Sequence, residues 1–105
     1  MIKHIVMWRV RGESVAEKEA NIERVCTGFM ALRGKIPGLL HLELGVDVSA
    51  IDYACDVVLY TEFERQEDLA GYASHPLHEQ LKKELEGVRT ARHQVDYVVN
   101  SIKGN

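Results

Sequence analysis

Between Ile2 and Arg11 the chain alternates. Ile2, His4, Val6, Trp8 and Val10 fall on one side of an extended backbone, and Lys3, Ile5, Met7, Arg9 and Arg11 on the other. The run is rich in β-branched residues, which predicts a strand over 2–11 closed by Gly12-Glu13. The period then changes. Ser14 and Glu17 have the spacing of a capping box. Ile22, Val25, Cys26, Phe29, Leu32 and Ile36 follow at steps of three or four, the stripe of an amphipathic helix, which Gly34 loosens and Pro37-Gly38 stops.

Alternation returns at Leu40, Leu42, Leu44 and Val46, a second strand. After the polar turn from Asp47 to Asp52, residues 54–63 predict a third, with Val57, Leu59, Thr61 and Phe63 on one face. Glu64 to Ser74 is read as a short helix carrying Leu69 and Tyr72. His75-Pro76 breaks it and opens a second short helix through Leu77, Leu81 and Leu85 to Glu86, because proline suits a first helical turn. Residues 92–102 predict the last strand, and 101–105 a frayed tail.

The order β-α-β-β-α-β, with the second helical region in two pieces, predicts an α+β, ferredoxin-like fold: one domain over 1–105, a four-stranded antiparallel sheet with its helices on one face. The first and third strands are apolar on both faces, more than one helical layer covers. A second copy packed sheet to sheet about a two-fold axis resolves this, and the space between curved sheets is a natural pocket. The Val6/Trp8 face, which carries His4, is assigned to the interior of that barrel. The mostly polar Gln94, Asp96, Val98 and Asn100 argue instead for a monomer; the homodimer is the favoured reading.

Composition narrows the class. Apolar residues are 46% and charged residues 28%, which suits a folded domain rather than a disordered chain. Lys+Arg 13 against Asp+Glu 16 gives −3, which argues against a nucleic-acid partner. Lys3, His4 and Arg9 break the first apolar stretch, which reads as no secretory leader, and no run is long enough to cross a membrane. Cys26 and Cys55, 29 positions apart without CxxC spacing, are read as reduced thiols of a cytoplasmic protein.

Candidate chemistry rests on histidines. His4 on an apolar strand face is either a satisfied core residue or a polar group lining a pocket. Tyr72, His75 and His78 are spaced by three and would share a helix face were Pro76 not between them. A histidine beside a tyrosine hydroxyl suits proton abstraction next to a carbonyl, the imidazole as base and the phenol polarising the substrate. The competing structural roles are a cap at His75, packing of Tyr72 on Leu69, and a loop pinned by His78. The two histidines of HPLH lack a third ligand, so no metal is expected. No glycine-rich phosphate loop or GxSxG elbow occurs, and no cofactor is expected.

The opening KHIVMWR, Pro37-Gly38 before a strand ending Gly45-Val46-Asp47, the stretch FERQEDLAGYASHPLH and the valine-rich final strand resemble the stress-responsive α/β-barrel (Dabb) family over nearly the whole chain. Tyr-x-x-His-Pro-x-His at 72–78 is the most specific part. The resemblance implies a ferredoxin-like subunit in a dimeric α/β barrel. The family holds plant stress-linked proteins, bacterial proteins of unassigned role, and a plant polyketide cyclase that closes its chain by a cofactor-free aldol reaction. That cyclase's histidine base and tyrosine match His78 and Tyr72, and a second pocket histidine matches His4. The expectation is a small organic ligand bound between sheet and helices, with His4, Val6, Trp8 and His75 as ligand contacts. The alternatives are a cofactor-independent cyclase or isomerase using His78 and Tyr72, and a purely structural stress protein.

Overall fold

A computed structural model describes residues 1–99. Its elements are β1 (Ile2–Val10), α1 (Val15–Met30), β2 (Leu39–Val46), β3 (Val57–Phe63), α2 (Gln66–Ala73), α3 (Pro76–Glu84) and β4 (Arg89–Val98). The sheet is antiparallel in the order β2-β3-β1-β4, so the first strand is central and its partners are the third and the last. This is the ferredoxin-like order.

Local chemistry sets the ends of the elements. The Glu17 amide donates to Ser14 Oγ at 3.0 Å, while the Glu17 carboxylate receives the Glu13 amide rather than that of Ser14. α1 stops at Met30, short of Ile36, because residues 31–35 turn through Gly34 at φ 73°. Gly38, at φ 78°, is demanded twice over: a Cβ there would meet the Asp68 carboxyl at 2.1 Å. β3 starts at Val57 rather than 54. The Asp56 backbone still bonds Trp8 and Asp47, while its carboxylate takes the Val10 amide at 2.7 Å and Lys18 at 3.0 Å. β4 starts three residues earlier than the pattern suggests, at Arg89, opposite a register shift at Arg9/Val10. The expected strand end at 100–102 and the tail at 101–105 lie outside the described residues.

The helices cover the face that carries Ile2, His4, Val6, Trp8 and Val10. These side chains are buried against Val25 and Phe29 of α1, Tyr72 of α2 and Leu81 of α3, joined by Leu42, Leu59 and Phe63 of the sheet. Gly28 of α1 lets α3 close in, since a Cβ there would lie 2.5 Å from Leu81 Cδ1. The assignment of the Val6/Trp8 face to the space between two sheets is thereby corrected. That face belongs to the subunit's own core, and the sheet face left open carries Ile5 and Met7. Alternation shows that both faces of β1 are apolar; only packing decides which one α1 covers. On the open face Met7, Val95 and Tyr97 are at least 40% exposed. Both cysteines are free thiols, and partial burial raises the Cys26 pKa. No helix among the described residues is long and apolar enough to cross a membrane.

Candidate functional site

Between the sheet and α3 lies an open pocket of about 520 Å³. His4, Val6 and Trp8 of β1 and Leu59 of β3 form one wall, and Phe29, Tyr72, His78 and Lys82 come from the helices. The first four residues of β4, Arg89 to Arg92, complete it. The volume suits a small organic molecule.

His78 is half-buried on the first turns of α3. Its Nδ1 lies 3.2 Å from the Ala73 carbonyl. A carbonyl only accepts, so Nδ1 carries the proton and Nε2 keeps its lone pair. Burial is the largest influence on the ring and pushes its pKa below the usual 6.5, so the imidazole is neutral near pH 7. The ring stands 4.3 Å from that of Tyr72, centroid to centroid. Burial drives the Tyr72 phenol well above its ordinary value of 10, opposed by Arg89 and Arg92. The hydroxyl is therefore a donor throughout the physiological range. No hydrogen bond among the described residues ties it down.

His4 is also buried, its ring centroid 6.0 Å from that of Tyr72. Its Nδ1 sits 2.5 Å from Asp96 Oδ1 and donates to that carboxylate, which orients the ring. Gln94 donates to the other Asp96 oxygen at 2.8 Å. Thr61, fully buried, donates to the His4 carbonyl at 2.8 Å and fixes the strand beneath the ring. Two oriented imidazole rings thus flank one phenol, from the sheet side and the helix side.

His4, Val6, Trp8, Tyr72 and His78 are brought together around this pocket. His75 is not. It is the N-cap of α3, its Nδ1 accepting from the Leu77 amide at 3.1 Å, because α2 ends at Ala73 and the three-residue spacing breaks there. Sequence reasoning missed Asp96, Arg89 and Arg92. Asp96 was legible in principle, since the β-α-β-β-α-β order sets the last strand beside the first and the register pairs it with His4. Among the described residues no three His, Cys, Asp or Glu side chains are grouped to hold a metal.

The model of the stress responsive A/B barrel domain family matches residues 2–99. Among solved structures, a dimeric ferredoxin-like protein of unknown function from Bacteroides fragilis is 31% identical, with 91% of this chain and 93% of that one covered at a TM-score of 0.80. A dimeric ferredoxin-like protein of unknown function from Thermobifida fusca is 20% identical, over 93% and 90%, at 0.78. A hydroxynitrile lyase from Passiflora edulis is 15% identical, over 98% and 96%, at 0.79; at that identity the likeness is one of fold. No curated protein matches the chain.

Proposed function

Since the chain belongs to the stress responsive A/B barrel domain family, we propose that it binds a small organic carbonyl compound in this pocket and moves a proton on it without a cofactor. One observation carries the reading. His78 holds its proton on the nitrogen bonded to Ala73, leaving Nε2 as a free base on a ring that stands against the ring of Tyr72 in an open cavity. A filled pocket would leave a base nothing to act on.

The step that fits is proton abstraction from a carbon next to a carbonyl. The C–H bond breaks, Nε2 of His78 takes the proton, and the electron pair moves onto the carbonyl oxygen as an enolate. Tyr72 donates a hydrogen bond to that oxygen, and Arg89 and Arg92 supply a positive field. The imidazolium then returns its proton to carbon, or the enolate carbon attacks a second carbonyl, as in a cyclisation, and the imidazolium protonates the alkoxide that forms. A general base of this kind contributes about 10²–10⁴ in rate. His4, held by Asp96, lines the same pocket on the sheet side.

The unit we propose is a homodimer in the cytoplasm. Met7, Val95 and Tyr97 on the open sheet face, with Val46 and Tyr53 beside Met7, are exposed apolar side chains that a second sheet would cover. The Bacteroides fragilis and Thermobifida fusca proteins are dimeric.

The test follows hydrogen–deuterium exchange at the carbon next to the carbonyl of phenylacetone and phenylpyruvate, by proton NMR in D₂O. The protein should accelerate exchange of at least one, and His78→Ala should lose about 10²–10⁴ of that rate with its thermal midpoint little changed. Exchange no faster than in buffer for both, or undiminished in the variant, overturns the reading.

A further inference from the structure

We propose that the pocket is built for an organic acid: a small aromatic carboxylate, its anionic group received by Arg89 and Arg92 and its ring laid against the apolar wall of Val6 and Leu59. The inference rests on the pocket reading above and adds the substrate class.

The charge of the lining is the first observation. Lys82, Arg89 and Arg92 are cationic, and no aspartate or glutamate lines the cavity. The chain as a whole carries −3, so this local excess runs against its composition. Of the nearby acids, Asp96 is held by His4 and Gln94, and Glu79 lies 3.4 Å from Lys82 and offsets its charge, which leaves Arg89 and Arg92 as the uncompensated cations of the lining. Neither arginine has an ion pair among the described residues.

Arg89 is the second. Its guanidinium is half-buried over the rings of Trp8 at 5.0 Å and Phe29 at 5.7 Å. Burial, then the neighbouring Arg92, lowers its pKa from the ordinary value. Withdrawing a guanidinium from water beside a like charge is unfavourable without an anion. The fork of N–H donors matches a carboxylate in two parallel bonds. Stacking on Trp8 and Phe29 holds that fork in place, and the apolar wall of Val6 and Leu59 suits a ring rather than a bare inorganic ion.

Trp8 is the chain's single tryptophan and lies under Arg89, so its fluorescence reports on the site. The experiment titrates the intact protein with phenylacetate and with phenylacetamide, alike in ring and length but differing in charge, and with inorganic phosphate. Phenylacetate should bind about tenfold tighter than the amide or more, and the preference should shrink with added salt. Arg89→Gln should abolish the preference, and Arg92→Gln should weaken it. The wild-type ratio of acid to amide needs no variant and decides the matter if Arg89→Gln fails to fold. Equal affinity for acid and amide, no binding of either, or phosphate binding as tightly as phenylacetate overturns the inference. Proton exchange is read separately. An acid preference without catalysed exchange leaves this inference standing and removes the proton-transfer reading, and catalysed exchange with equal affinities does the reverse.

Discussion

A carboxylate placed on either face of β1 should have opposite consequences. Val6 is 1% exposed beneath the helices, whereas Met7, one residue on, is 40% exposed on the open face. In Val6→Asp the new carboxyl has no partner in the core. Holding it protonated at pH 7, against an ordinary pKa of about 3.9, costs about 4 kcal/mol. The lost valine burial adds about 1.5–3 kcal/mol. The sum rivals the whole stability of a typical domain, about 5–15 kcal/mol. Val6→Asp should therefore lack a cooperative thermal transition by circular dichroism. Met7→Asp should lose about 0.5 kcal/mol within the subunit but place a charge between two sheets. It should keep its transition while its mass by light scattering falls from twice 11.9 kDa to one subunit. A folded, monomeric Val6→Asp beside a dimeric Met7→Asp would show the two faces to be exchanged and refute the reasoning.

Three further outcomes are expected. Asp96→Asn keeps an acceptor for His4 Nδ1 but removes its charge; urea unfolding should show a loss of about 1 kcal/mol, and an unchanged midpoint would mean the pair is idle. Gly38→Ala should destabilise more than the roughly 1–2 kcal/mol of a left-handed alanine, because its methyl meets Asp68, whereas Gly34→Ala, with open space around it, should show the backbone cost alone; equal losses would contradict the crowding. Because the folded His78 has a pKa below 6.5, the unfolded chain takes up its proton first, so this residue's contribution is complete above pH 6.5 and lost as pH falls below it. His78→Gln should flatten the decline of the thermal midpoint on the acid side, and an identical slope would contradict the burial of the ring.

What was legible in the sequence was local. Ser14 and Glu17 mark the start of α1 because the cap is made within four residues, and Pro76 marks α3 because its ring dictates its own backbone. The alternation of β1 and β3 states which residues share a face, and His4, Val6 and Trp8 do so. It does not state which apolar face a helix covers, since that depends on where α1 returns. Asp96 counted as a sign of a polar, monomeric surface when read along its own strand. Paired across to β1 it is the partner that orients His4. Arg89 follows Gly87 and looks like part of a turn. The strand reaches back to include it only because β1 continues to Val10 and offers it a partner. His75 joined the candidate site by spacing alone, and the break at Ser74 turned it into a cap.

The central claim is that His78 offers a free Nε2 to the pocket, and nitrogen-15 NMR of the histidine rings tests it most directly. Long-range proton–nitrogen spectra recorded from pH 5 to 8 give the tautomer and titration midpoint of each ring. The account predicts a neutral His78 with its proton on Nδ1, a midpoint below 6.5, and an Nε2 resonance that moves when phenylacetate is added. A His78 protonated on Nε2, or one titrating at or above 6.5 with no response to the ligand, would contradict it.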